Sequence, residues 1–396
     1  MSKLDELIQT LCPDGVEYKT LGELGSFYGG LTGKSKEDFT DGNAKFISYM
    51  NVYSNLALDV NMPDRVKVGD NERQNKVQLG DVLFTGSSEN TEECGMSSVL
   101  TTETQEPLYL NSFCFGYRFN DTSMFLPDFS KFLFRSDSLR KQIIRTASGV
   151  TRFNVSKKKM EKVIIPVPPM EVQEEIVRIL DNFTELTAEL TAELTARKKQ
   201  YEYYRDELLT FDENIQYAPL GETCVMKAGK SISATKIFSE YNTNLYKCYG
   251  GNGLRGYVET FNRNGEYPIV GRQGALCGNV CYATGEFYAT EHAVVVEPNK
   301  VYNSRFLYYL LIKLDLSQYK TDGAQPGLAV SRLEKVSAPV PPLAEQERIV
   351  SILDRFDALC NDISIGLPAE IEARKKQYEY YMDKLLTFKS KNSEVC

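Results

Sequence analysis

One stretch of the chain is written twice, and that duplication limits the possible folds more than any other feature. Residues 163–211 read VIIPVPPMEVQEEIVRILDNFTELTAELTAELTARKKQYEYYRDELLTF, and residues 336–388 read VSAPVPPLAEQERIVSILDRFDALCNDISIGLPAEIEARKKQYEYYMDKLLTF. The copies are offset by 173 residues from Pro166/Pro339 to Phe183/Phe356, and by 177 from Ala196/Ala373 to Phe211/Phe388. A repeat this close, differing by a short insertion in its middle, requires two equivalent structural elements.

Each copy opens with PVPP, which can neither continue a helix nor donate to a β-ladder and therefore divides the block before it from the arm after it. Apolar residues then fall at Ile176, Ile179, Phe183, Leu186 and Leu190, and again at Ile349, Ile352, Phe356, Leu359 and Ile363. Tyr201, Tyr204 and Leu208 in the first copy answer to Tyr378, Tyr381 and Leu385 in the second. Alternating steps of three and four define a coiled-coil seam. Roughly 40 helical residues would span about 60 Å, longer than a globular domain needs. Ordinary buried helices would show the same period, but duplication and length favour spacer arms. Gly366 and Pro368 predict a break in the second arm, with Pro368 in the first turn of a new helix. In the first arm, TAEL occurs at 187–190 and again at 191–194. A step of four residues makes Leu186, Leu190 and Leu194 drift around the helix, and each unit adds about one helical turn, or about 6 Å, so it acts as an adjustable ruler.

The repeat reaches beyond the arms. VEYKTLGE at 16–23 matches IQYAPLGE at 215–222, and GDVLFTG at 80–86 resembles GEYPIVG at 265–271, offset by 185. Phe132 to Phe134 match Phe306 to Tyr308 at an offset of 174, as Gly149 matches Gly323, while Tyr109 and Asn111 correspond to Tyr288 and Thr290. Two halves, 1–211 and 212–388, each comprise a globular block followed by an arm. Short apolar segments at 45–52, 81–85, 108–119, 267–270 and 293–296 predict strands; 129–145 and 304–316 predict helices. The expected fold class is α+β with an internal pseudo-twofold repeat.

Charge is unevenly spread. The net charge is −8, and residues 171–226 alone carry 5 basic against 13 acidic side chains. Residues 131–162, in contrast, carry ten basic and two acidic ones. An acidic spacer between blocks with basic surface suits a protein that grips nucleic acid at two points. The N-terminus lacks the basic end and apolar run of a signal peptide, and no apolar stretch approaches a membrane span. The nine cysteines then read as reduced thiols of a cytoplasmic protein.

Catalytic signatures fail one by one. Gly33-Lys34-Ser35 lacks the first glycine of a phosphate loop, because position 28 is Tyr28. Tyr249 to Gly253 (YGGNG) only faintly resembles a methyl-donor loop, and no Asn/Asp-Pro-Pro-aromatic motif accompanies it. Glu17 and Lys19 stand too close to Pro13-Asp14 for a nuclease core. His292 is the sole histidine, and Cys277 and Cys281 lack a second pair, so neither a catalytic nor a metal set is expected.

The two PVPP-x3-Gln-x2-Ile-Val elements (166–177 and 339–350) and the two ARKKQYEYY elements (196–204 and 373–381) resemble the conserved regions of specificity subunits of Type I restriction–modification systems. So does the TAEL repeat. The resemblance covers the whole chain and implies four parts. These are an N-terminal segment with target recognition domain 1 (1–165), a central conserved helical arm (166–211), target recognition domain 2 (212–338) and a C-terminal conserved arm (339–396). It implies two long arms packed as an antiparallel coiled coil, each recognition domain reading one half of a split sequence in double-stranded DNA. Two methylation subunits and further restriction subunits would be the partners. S-adenosylmethionine and ATP/Mg are expected on those subunits and no cofactor on this chain, which would be non-catalytic. The Tyr-rich motif offers Tyr201, Tyr204, Tyr378 and Tyr381 as a subunit interface. The alternative is a stand-alone two-site DNA-binding or bridging protein.

Base edges are read best by Arg, Asn and Gln, and phosphates are held by Lys. In the second block, Asn252 and Arg255, Arg272 and Gln273, and Gln325 sit in Gly-rich loops and are the expected readers. In the first block the counterparts are Ser87, Ser88 and Asn90, with Arg152 and Asn154, and more weakly Asn51 and Tyr53. Lys157, Lys158 and Lys159 are expected to clamp phosphates.

Overall fold

The computed structural model describes residues 3–274, 276–321, 326–362 and 365–391. The chain divides into two units, Met1–Glu189 with Glu372–Cys396, and Leu190–Ile371.

In the first unit, Gly25–Gly29, Cys114–Phe119, Val82–Thr85 and Ser97–Val99 form an antiparallel sheet in that order. A second sheet places Ala44–Ile47 parallel to Leu108–Leu110, flanked by Arg65–Val66 and Lys76–Val77. The apolar run at 45–52 therefore yields a strand only as far as Ile47, and the chain then turns into the helix Tyr49–Ser54. The helix expected over 129–145 is two helices, Pro127–Leu133 and Asp137–Ile144. Between them Ser136 Oγ donates to Leu133 O, diverting a carbonyl the helix would need. Phe84, Phe115, Tyr117, Phe129, Phe132 and Phe134 fill the core.

The second unit fuses the equivalent strands into one sheet, ordered Cys224–Ala228, Ala293–Pro298, Arg263–Gly271, Val280–Ala289, Tyr246–Gly250 and Gly253–Val258. The parallel pair recurs as Tyr246–Gly250 with Val280–Ala289. The helix Ser304–Lys313 packs on the core, and Asp315, in the left-handed region at φ 41°, separates it from a short 3-10 turn over Leu316–Tyr319.

The PVPP motifs mount each block on its arm. Glu17–Thr20 pairs with Ile164–Val167, and Tyr217–Pro219 with Ser337–Pro339. The motif glutamines are fully buried brackets. Gln173 accepts from Leu126 N and donates to Met124 O and Pro168 O, whereas Gln346 accepts from Asn303 N and donates to Val301 O and Pro341 O.

The central arm is one helix of 39 residues, Met170–Leu208. The terminal arm is Leu343–Asn361 and Leu367–Leu385, with Gly366 at the break and Pro368 in the first turn of the second helix. These are the antiparallel coiled-coil arms. In the first unit Val172, Ile176 and Leu180 are buried in a core that includes Leu386, and the Tyr381 ring stacks on Phe183 at 5.3 Å. In the second, Tyr201 and Tyr204 lie against Phe356 at 6.4 and 5.7 Å, and Ile349, Leu353 and Cys360 are buried. Leu186 leaves the seam, 45 % exposed, and the half-buried Thr187 takes its place, because TAEL advances by four residues and the seam by three or four. Tyr201, Tyr204, Tyr378 and Tyr381 are engaged within the chain, Tyr378 against Phe132. Their neighbours Tyr203 and Tyr380 face outward, 64 % and 61 % exposed, and Tyr204 keeps 38 % of its surface exposed. Ile363 lies outside the described residues.

Candidate nucleic-acid interface

In the first unit a small sheet brings together two loops far apart in sequence. Ser88 pairs with Phe153 and Ser87 with Asn154. Arg152 Nε donates to Ser87 Oγ at 3.0 Å, and its guanidinium lies 5.9 Å from the centre of the Phe113 ring. A cleft of about 430 Å³ results, lined by Tyr49, Tyr53, Ser87, Ser88, Phe113 and Arg152 among others. Tyr49 OH donates to Ser87 O, and the Tyr53 ring stacks on Tyr49. Asn90 is exposed on the same loop, its Oδ1 accepting from Glu92 N. Asn51 is turned inward. It is 2 % exposed, with its amide donating to Asp59 O and its oxygen accepting from Asp59 N, so it braces a loop rather than offering an edge.

The basic run at 131–162 separates into framework and surface. Arg135 donates to the carbonyls of Val52, Tyr53, Asn55 and Ser97, and Arg140 to those of Glu92, Cys94 and Gly95. These two guanidinium groups hold the loops that form the cleft. Burial, and then the charge of Arg140, push Arg135 down to about 10, still cationic at neutral pH. Lys131 is paired with Asp128 and Asp181. Lys157, Lys158 and Lys159 are exposed on a one-turn helix whose N-terminus is capped by the Ser156 side chain, an arrangement able to hold phosphates.

The second unit repeats the construction. Gln273 bridges to Gly327, and Leu328 N donates to Arg272 O. Gln273 follows Ser88 by 185 residues and Gly327 follows Phe153 by 174, the offsets of the sequence repeat, so the bridge of the first unit is made again. The cleft beside it has a volume of about 730 Å³ and gathers Asn252, Arg255 and Gln273 with His292. Of the expected readers, Asn252, Arg255 and Gln273 are exposed and Arg272 is half-buried. Gln325 lies outside the described residues. The YGGNG segment is a β-hairpin tip in which Gly250 pairs with Gly253. Gly253 at φ +87° and Gly274 at φ +93° meet nothing within 4 Å of a would-be Cβ, leaving backbone open to a ligand.

The Gly33–Ser35 segment has a structural use instead: Lys34 donates to Lys67 O and pairs with Glu72 at 2.5 Å. Among the described residues no His, Cys, Asp and Glu gather into a metal-binding group. Sequence reasoning missed the turns 111–113 and 290–292, which place Phe113 and His292 in the two clefts. The alignment of Asn111 with Thr290 was the available signal.

Comparison with known proteins agrees with this architecture. The family model for the Type I restriction modification DNA specificity domain matches residues 13–197 and 212–373, one copy for each half. The chain belongs to this family of specificity subunits. It is 48 % identical to the Escherichia coli EcoprrI specificity subunit over 207 residues, 50 % of this chain and 52 % of that protein. It is 34 % identical over 245 residues to a putative type I specificity subunit of Mycoplasma pneumoniae, covering 59 % of this chain and 99 % of that protein. The fold matches the S subunit from M. genitalium at a TM-score of 0.57 and 17 % identity, over 94 % of this chain and 96 % of that one. A further type I R-M chain matches at 0.63 and 19 %, over 94 % and 97 %.

Proposed function

We propose that each unit reads one half of a split sequence in double-stranded DNA and that the paired arms set the gap between the halves. The observation that carries this is the repeated cleft, built by the same bridge in both units and lined by different side chains. Equal frames with unequal linings let one geometry recognise two sequences. Half-sites about one DNA turn apart are about 34–36 Å centre to centre, a distance that long helices can set. The two methylation subunits would dock on the arms, where the outward-facing Tyr203 and Tyr380 recur in the two ARKKQYEYY motifs. Restriction subunits would join that core. S-adenosylmethionine and ATP/Mg act on those partners, in the cytoplasm, and this chain supplies recognition and scaffolding.

The test is a genome-wide map of methylated adenines in the host with and without this chain. Loss of one bipartite motif supports the reading and reveals both half-sites. An unchanged map favours the stand-alone DNA-bridging alternative. Deleting one TAEL unit should change the gap and leave both half-sites as they were; an altered half-site would count against the ruler.

A further inference from the structure

His292 lines the cleft of the second unit from the turn of residues 290–292, which joins Val280–Ala289 to Ala293–Pro298. Thr290 is fully buried, and its Oγ1 has no hydrogen-bond partner within the chain. The same holds for three neighbouring atoms, Glu291 Oε2, His292 Nδ1 and Arg272 Nε, each buried and without a protein partner. They belong to one cluster. Arg272 N donates to His292 O at 3.0 Å, and Glu291 Oε1 lies 3.3 Å from His292 Nε2. A Cβ on Gly250 would stand 3.8 Å from Thr290 Oγ1, and one on Gly251 would stand 3.6 Å from His292 Cβ; both glycines line the cleft.

Buried polar groups are almost always paired, so four lone ones in one cluster beside the cleft call for a partner from outside the chain. The set is chemically mixed. Arg272 Nε can only donate, the Glu291 carboxylate accepts, and Thr290 and His292 can do either. A phosphate offers acceptors alone and would be repelled by Glu291. The major-groove edge of a G·C pair offers both, with guanine N7 and O6 for arginine and the cytosine amino group for glutamate. The first unit shows the contrast: there the Asn111 side chain closes its own turn by accepting from Phe113 N, and the tip is an exposed phenyl ring.

We infer that Thr290, Glu291 and His292, with Arg272 beneath them, form a base-specificity element of the second half-site that selects a G·C pair. This rests on the proposed reading of DNA by this chain. Glu291 takes the cytosine amine, and Arg272 and His292 face the guanine edge.

The experiment uses the assembled methylation complex and a duplex library with two randomised blocks separated by the native gap. The wild type is compared with Glu291→Gln and with a graft of the first unit's turn, Thr290→Asn, Glu291→Ser, His292→Phe. The expected result is a drop of about tenfold in preference for G·C at one position of the second half-site. First-half-site preference should stay unchanged, which also reports that the variant is folded. Unchanged preference at every position overturns the inference, as does equal loss at both half-sites. A wild-type complex with no bipartite preference instead overturns the proposed function, and the inference falls with it.

Discussion

In the first unit the cleft is smaller and is lined by Phe113, with Arg152 above the ring; in the second it is larger and is lined by His292 beside unpartnered polar atoms. The frames behind these tips are alike: the buried glutamine bracket, the parallel strand pair and the bridge from loop to loop each occur twice. The braces differ. Arg135 and Arg140 hold the first cleft from behind, and the residues 174 positions later are Tyr309 and Leu314. The second unit uses Arg305, which pairs with Asp354 and Asp357 and fastens its helix to the terminal arm. Residues that set where the clefts stand are thus kept, and residues that face the ligand or adjust the loops around it are free to change.

The strongest way to test that shared frame is to remove the brackets. Gln173→Leu and Gln346→Leu each keep the volume and strand three backbone groups in a buried setting. Each unsatisfied group costs about 1–3 kcal/mol, so each variant should lose at least about 3 kcal/mol. Urea denaturation, with hydrogen exchange to assign the loss to a unit, should give two equal and local effects. A large loss for one glutamine and little for the other would show that the frames are not equivalent.

The braces sharpen the difference. Arg135→Met removes a guanidinium that four carbonyls share, at a cost of at least about 2 kcal/mol, since a single hydrogen bond to a charged group contributes about 1.5–3 kcal/mol and losing the desolvation cost of the buried charge offsets part of the rest. Preference at the first half-site should blur while the second keeps its sequence, read by the same randomised duplexes. Equal blurring of both would mean that Arg135 supports the whole chain and not one cleft.

The arms were legible because a helical period and an exact repeat are properties of sequence alone. The clefts were legible in part. Gly-rich loops with polar tips marked Asn252, Arg255 and Gln273, and the repeat offsets carried Ser88 over to Gln273. What failed has a common cause: in irregular loops no period says which side chain turns inward. Asn51 and Arg135 look like surface groups in sequence and are braces in the fold. The tyrosine motif divides for a related reason. Alternate residues of YEYY face opposite sides of a helix, so the period that placed Tyr201 and Tyr378 in the seam sends Tyr203 and Tyr380 outward. The turns 111–113 and 290–292 follow no motif, and only the strands on either side make them cleft walls.

The smallest effect should come from Glu175, which the repeat does not preserve: 173 residues later stands Arg348. The Glu175 side chain is 3 % exposed and accepts from Arg178 at 2.6 Å and from Lys3 at 2.9 Å. Arg178 first, and Lys3 second among its partners, hold the carboxyl down to about 2 from an ordinary 4.5. A lowered folded-state value stabilises above the unfolded value and is lost as pH falls through the folded one. The contribution is therefore complete above about pH 4.5 and gone near pH 2. Both cations are well solvated, which reduces its size to about 1 kcal/mol. Glu175→Gln should weaken hydrogen-exchange protection of Lys3–Leu11 at neutral pH and lose that disadvantage near pH 2. In the second unit Arg348 pairs with Glu345 on the exposed side of the arm, so protection there should not respond to the substitution. A matching response in that unit would mean that the acid-sensitive lock is shared along the arms and not built into one half of the repeat.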